Sequence, residues 1–210
     1  MHDMVRRTKE EAEQTRCQIL AAARRCFHAR GVSATSLEHI AQEAGVTRGA
    51  IYWHFANKEE LFKAMCDEVE LPLMDRTDFT LLQDKNHEPL ERLRNFMNEL
   101  ADAVLQASPL RQTVEILNYK CEFVGPMGHG LEQHLAELRE FREKLLRVYR
   151  DAASAGQLRA GLDPQLAAME SMYFLIGLLR VALIDEQGDL VRRDLRALID
   201  AHVQGRRRVG

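Results

Sequence analysis

The sequence predicts an all-α protein: an N-terminal helix-turn-helix domain followed by a larger helical domain. Three observations carry this. Apolar residues recur three and four apart in about nine segments, the spacing of amphipathic helices. No segment alternates with the period of two that a strand requires, and no internal repeat occurs. Capping residues and glycine stops punctuate the segments at helical lengths. We expect domains over residues 1–56 and 57–210.

Residues 1–7 read as an arm carrying Arg6 and Arg7. Thr8 is the predicted cap of the first helix, with Glu11 closing a capping box and Lys9 in the first turn. Ile19, Ala23 and Phe27 then form an apolar stripe, and Gly31 ends the helix. Thr35 and Glu38 give a second capping box, ahead of Leu37, Ile40, Ala41 and Ala44 at helical spacing. Gly45 suits a left-handed C-cap and Thr47 a new N-cap, with Val46 and Ile51 closing as a hydrophobic staple. One helix thus ends and the next begins within about three residues, the spacing of a helix-turn-helix. The second helix of that motif enters the DNA major groove.

That second helix has suitable side chains. Arg48 stands at its start, and Gly49 and Ala50 are small enough for close approach to base edges. Ile51 and Phe55 point to the core, while Tyr52, Trp53 and His54 occupy the other faces. Lys58 follows, where a long cation reaches a phosphate. The predicted DNA-binding set is Arg6, Arg7, Lys9, Thr35, Ser36, Thr47, Arg48, Gly49, Ala50, Tyr52, Trp53, His54 and Lys58. An ordinary αα corner with a surface arginine is the plainer reading. Two caps, a staple, small residues and a basic start in one register argue against it.

Downstream, Asn57 caps a helix whose buried face is Leu61, Phe62, Met65 and Val69, expected to stop at Leu71 before Pro72. It joins the DNA-binding part to the rest, so it is the expected carrier of a signal. Residues 77–87 read as a loop. Leu90, Leu93, Met97, Leu100, Ala101 and Val104 mark the next helix, and Val114, Leu117 and Cys121 one side of another. Leu135, Leu138, Phe141, Leu145 and Val148 mark a long helix that Gly156 caps. Pro164 opens a helix to about Glu186, apolar nearly all round from Met172 to Leu179 and so buried on more than one side. Asp189 is the expected cap of a last helix, followed by the basic tail Arg206, Arg207 and Arg208.

The formal net charge of −3 speaks against a protein that coats nucleic acid everywhere. Through Lys58 there are nine Lys/Arg against six Asp/Glu, so a basic end sits on an acidic body. The four cysteines lack C-x-x-C spacing and read as free thiols. No signal peptide is seen, and the apolar run ending at Arg180 is short of the roughly 20 residues of a membrane span. A cytoplasmic protein without membrane attachment is expected. No metal-ligand spacing, P-loop, dinucleotide fingerprint or nucleophile motif occurs, so no catalytic residue, metal or cofactor is expected.

Gly31 through Thr35, Ile40-Ala41, Ala44-Gly45-Val46, Gly49, Tyr52, His54-Phe55, Lys58-Glu59 and Leu61 together resemble the TetR family of bacterial repressors. The wording TRGAIYWHF, the opening VRRTKEEAEQTR and the run Glu115 to Met127 are similar to the branch that represses multidrug efflux pumps. The resemblance fades beyond about Arg159. It implies double-stranded operator DNA as partner, a homodimer through the last two helices, and an apolar cavity holding a small hydrophobic inducer. Matching cavity positions are Glu70, Phe96, Leu100, Val114, Asn118, Leu145, Met172 and Ile176, with Leu138 and Phe141 as neighbours. Val114, Asn118 and Ile176 stand where that branch has Asn, His and Asp, which implies a less polar cavity. The expected function is a ligand-responsive repressor of an efflux operon. The alternatives are a regulator of a metabolic operon sensing a metabolite, a ligand-independent DNA-binding protein, and a small helical enzyme.

Overall fold

The computed structural model describes residues 2–122 and 128–208, without the side chains of residues 2–8, 70–74, 76–77 and 128–130. Among the described residues it is all-α, with nine α-helices, one π-helical turn and a single isolated β-bridge. The helices are α1 (His2–Arg30), α2 (Leu37–Ala44), α3 (Arg48–His54), α4 (Lys58–Asp78), α5 (Pro89–Leu105), α6 (Pro109–Tyr119), α7 (Gly128–Ser154), α8 (Pro164–Ile184) and α9 (Leu195–Gln204). Compactness divides the chain into two units, which differ from a boundary at residue 57. The first comprises Met1–Leu71 and Ala107–Gly128, the second Pro72–Gln106 and His129–Gly210. The first α4 residues and all of α6 therefore belong with the helix-turn-helix.

The core of the first unit follows the expected stripes. Ile19, Ala23 and Phe27 of α1 meet Ile40 of α2, Ile51 of α3, and Leu61 and Met65 of α4, all fully buried. Phe27 and Phe62 pack edge to face with ring centres 5.6 Å apart. α6 adds Ile116 to this core, and its buried side differs from the expected one. Thr113 and Ile116 are inside, while Val114 and Leu117 are half-buried. Thr113 tolerates burial because its hydroxyl accepts from Arg24 Nε at 3.2 Å and donates to the Pro109 carbonyl at 3.0 Å.

In the second unit α5, α7, α8 and α9 share one core, with Leu93, Met97, Leu145, Val148, Leu175 and Ile199 almost wholly out of water. Tyr149 is fully buried and its hydroxyl lies 2.6 Å from Ser171 Oγ, which lies 2.8 Å from His202 Nε2.

Five segments depart from expectation. α1 begins at His2, so Thr8 lies inside the helix and does not cap it. α4 runs through Pro72 to Asp78; proline costs one helical hydrogen bond but disfavours a helix only locally. The expected loop after it contains a π-helical turn, Phe79–Gln83. That turn buries Thr80 and Leu81, and the Thr80 hydroxyl donates to Glu99 at 2.9 Å. Asp189 begins turns, and α9 starts only at Leu195. The organiser there is Asp185, which is buried and accepts from the backbone N–H of Gly188, Val191 and Arg192. Those backbone donors, Arg192 N–H foremost, hold its carboxyl down at about 2 against the cost of burial. The basic tail is also tied down. Arg159 N–H donates to the Arg206 carbonyl and Arg208 N–H to the Gln157 carbonyl, while Arg206 pairs with Glu170 at 3.2 Å.

Candidate nucleic-acid interface

The α2–α3 corner is capped at both ends, but not by the residues first expected. Ser36, not Thr35, is the N-cap of α2. Its Oγ accepts from His39 N–H, and His39 Nδ1 accepts in turn from Ser36 N–H. Thr35 is buried, and its hydroxyl is used on the Gly31 carbonyl at 2.7 Å and the Cys26 carbonyl at 3.3 Å. Its side chain faces the protein, so it is not a surface for DNA. Gly45 takes the left-handed conformation, φ 68°, and closes α2 through Ala41 and Gln42. Thr47 Oγ1 accepts from Ala50 N–H at 3.2 Å and starts α3.

With Ile51 and Phe55 inside, α3 presents Arg48, Tyr52 and Trp53 outward; Trp53 is 72% exposed. The Arg48 guanidinium lies over the Tyr52 ring, 5.3 Å from its centre, and donates to the Tyr52 hydroxyl at 2.9 Å. Gly49 is exposed; a Cβ there would make only an ordinary 3.7 Å contact with Thr47 Oγ1. Among the described residues no close contact requires glycine at that position. His54 is half-buried behind Trp53, and burial followed by nearby Arg16 lowers its pKa. Lys9 and Ser36 are exposed, and Ala50 half-buried. The side chains of Arg6, Arg7 and Glu70 lie outside the described residues.

Lys58 does different work from that expected. Its ammonium donates to the carbonyls of Val32 at 3.0 Å and Thr35 at 3.1 Å, bracing the α1–α2 connection. Two of its three protons are thereby used inside the protein.

Residues 19–65 match the family of bacterial regulatory proteins, tetR family, and residues 88–205 match the MAATS-type transcriptional repressor, C-terminal region. The chain belongs to the TetR family. It is 38% identical over 177 residues to the HTH-type transcriptional regulator TtgR of Pseudomonas putida, covering 84% of each chain. Among solved structures it is similar to NalD of Pseudomonas aeruginosa, the secondary repressor of the MexAB-OprM multidrug efflux pump. That match has a TM-score of 0.83 at 33% identity and covers 96% of this chain and all of that one. It is also similar to SmeT in complex with triclosan, TM-score 0.81 at 33% identity, over 94% of this chain and 93% of that one. Members of this TetR family are transcriptional regulators.

The expected inducer residues fall in both units. In the second, Phe96 and Phe141 pack with ring centres 5.6 Å apart, and Leu145, Met172 and Leu100 share their core. Leu138 is half-buried, and Ile176 lies on the exposed side of α8. In the first, Val114 and Asn118 are half-buried on α6, and Asn118 Nδ2 donates to the Val114 carbonyl at 2.9 Å. Among the described residues no three His, Cys, Asp or Glu are grouped to hold a metal ion. Burial raises the Cys26 and Cys121 thiols, which makes both poor nucleophiles.

Sequence reasoning missed the residues that join α6 to α1: Arg24, His28, Glu115 and Lys120. One signal was available. Arg24 lies on the stripe between Leu20 and Phe27, and a charge on an apolar stripe needs a partner.

Proposed function

We propose that the chain represses a multidrug efflux operon and leaves its operator when a hydrophobic inducer binds. The observation that carries this is the doubly capped α2–α3 corner with Arg48 and Gly49 exposed at the start of α3. Arg48 reads a base edge, with Thr47, Gly49 and Ala50 at the groove floor. Ser36, Tyr52, Trp53, His54 and the arm of Arg6, Arg7 and Lys9 hold phosphates, which set position but carry no sequence. The relatives named for efflux repression support the target, and triclosan in SmeT supports an apolar aromatic inducer. Phe96, Leu100, Leu138, Phe141, Leu145 and Met172, all of the second unit, are our assignment of its pocket.

The homodimer is assigned to α8 and α9. The exposed apolar residues Leu166, Tyr173, Ile176, Val181 and Ile184 of α8 and Leu198 of α9 support it. Gly177 stands among them, and a Cβ there would meet nothing within 4 Å, so its small size leaves room for a facing helix. The test is a mobility shift on the DNA upstream of this gene, with random DNA as competitor and triclosan added. Selective binding released by triclosan is expected; equal competition by random DNA overturns the repressor reading.

A further inference from the structure

The chain has a single tryptophan, Trp53, and α3 leaves it largely exposed. Its ring is one wall of a cavity of about 260 Å³ between α1 and α3, lined by Glu11, Ala12, Thr15, Ala50, Trp53 and His54. All six residues belong to the first unit. That volume is below the roughly 300–1,000 Å³ of sites for drug-sized ligands, so the slot suits a smaller molecule.

The walls set its shape. Trp53 and His54 stand perpendicular with ring centres 4.5 Å apart and form an aromatic corner. Ala12 of α1 and Ala50 of α3 are small and half-buried, so the space between the two helices stays open. Thr15 donates its hydroxyl proton to the Glu11 carbonyl at 2.9 Å, within α1. Aromatic walls with small side chains between them fit a flat ring.

The walls also set its charge. Glu11 is exposed and brings a carboxylate to the slot. His54 adds no charge at neutral pH, because burial, followed by Arg16, lowers its pKa. Arg16 is engaged elsewhere: its guanidinium lies over the Phe55 ring, 5.5 Å from the centre, and 3.9 Å from Glu13. An indole face and a carboxylate both attract cations.

We infer that this slot binds a small planar aromatic cation, with Trp53 stacking on its ring and Glu11 answering its charge, and that the bound cation keeps operator DNA off α3. The binding site stands apart from the proposed repressor function; the effect on DNA rests on that reading, which puts Ala50, Trp53 and His54 on the operator. Exclusion is then by overlap at one place, and no change of shape has to be carried from the second unit.

Because Trp53 is the only tryptophan, its emission reads the slot directly. The full-length protein is titrated with N-methylquinolinium and, separately, with quinoline, a neutral ring of similar shape at pH 7.5. Binding shows as quenching that saturates while the fluorescence lifetime stays constant; collisions alone shorten the lifetime and do not saturate. Saturable quenching is expected, tighter for the cation. Ala12→Leu fills the slot and keeps a good helix former, so it should lose the saturable part for both probes. Glu11→Gln should weaken the cation by about twofold to fivefold, the worth of an exposed ion pair, and leave quinoline unchanged. In mobility shifts on the DNA upstream of this gene, N-methylquinolinium should release wild type at lower concentration than Ala12→Leu, while triclosan releases both alike. No saturable quenching in wild type overturns the inference, as does unchanged saturable quenching in Ala12→Leu. Equal affinity for the two probes, or no effect of Glu11→Gln, overturns the cation assignment. Saturable quenching with equal release of wild type and Ala12→Leu overturns the exclusion of DNA. If neither protein binds that DNA selectively, the repressor reading falls and the fluorescence alone decides the slot.

Discussion

Two surfaces of this protein are equally open to water and chemically opposite. On α3, Tyr52 is 47% exposed beside Arg48; on α8, Val181 is 41% exposed beside Ile184. The α3 face is a guanidinium, a hydroxyl and aromatic rings, all at ease in water and all able to hold phosphates and bases. The α8 face is mostly aliphatic, and its exposure to water is unfavourable. By length and composition alone α8 could cross a membrane, with a mean hydropathy of 1.7, yet half of that window is buried in its own chain. Exposure marks where a partner belongs; the chemistry of the exposed atoms says which kind.

The largest effect is expected on the apolar face. Val181→Glu or Ile184→Glu would bury an unpaired charge between copies, costing the dimer about 3 kcal/mol or more. Sedimentation at micromolar protein should show folded monomer. Leu178→Glu is a different experiment. Leu178 is buried in its own core, so that variant should lose helix content instead. If Val181→Glu and Ile184→Glu both remain dimeric, the interface lies off α8.

On the polar face, Arg48→Ala should cost about 1–3 kcal/mol on operator DNA and little on random DNA. Lys58→Ala should lower the melting temperature, because Lys58 braces the Val32 and Thr35 carbonyls, and should weaken both DNAs alike through that loosened connection. Retained discrimination in Arg48→Ala would move base reading to another residue.

A smaller contrast is in pH. Burial, followed by Arg206, lowers His202 to about 4; its ring stacks on Phe174 at 3.9 Å. The unfolded value is near 6.5. Neutral His202 therefore stabilises the fold fully above about pH 6.5, and that contribution is lost as pH falls towards 4. Urea unfolding at pH 7 and pH 5 should show the loss, and His202→Gln should reduce it. An unchanged slope would place the acid sensitivity elsewhere.

What was legible in the sequence is what short-range physics determines. Gly45, Thr47 and Asn57 cap helices as expected, because a cap is set by residues within one turn. The stripes of α1 and α5 are buried because apolar spacing is local too. The errors came where distant groups decide. Thr35 is the cap the sequence predicts; the carbonyls of Cys26 and Gly31 claim it and leave Ser36 to cap. Nothing near Thr113 in the sequence signals its burial; Arg24, 89 residues away, supplies the partner that allows it. Asp185 gave no sign that three backbone amides would converge on it.

The smallest expected effect separates two roles of one side chain. Tyr52 offers Arg48 a ring to lie on and a hydroxyl to bond. On DNA that hydroxyl is better spent on a phosphate, since a bond to a charged acceptor is stronger than one to a neutral group. Tyr52→Phe keeps the ring, so Arg48 stays supported and its base preference should survive. What is lost is one exposed hydrogen bond, worth about 0.5–1.5 kcal/mol. Operator and random DNA should therefore weaken by the same factor, and their ratio should not move. Tyr52→Ala removes the ring as well, frees the guanidinium to wander, and should lower the ratio. Competition titrations of the two variants against wild type distinguish these outcomes. A changed ratio in Tyr52→Phe would mean that the hydroxyl, through its 2.9 Å bond to Arg48, helps to aim the base reader and does not simply hold the backbone.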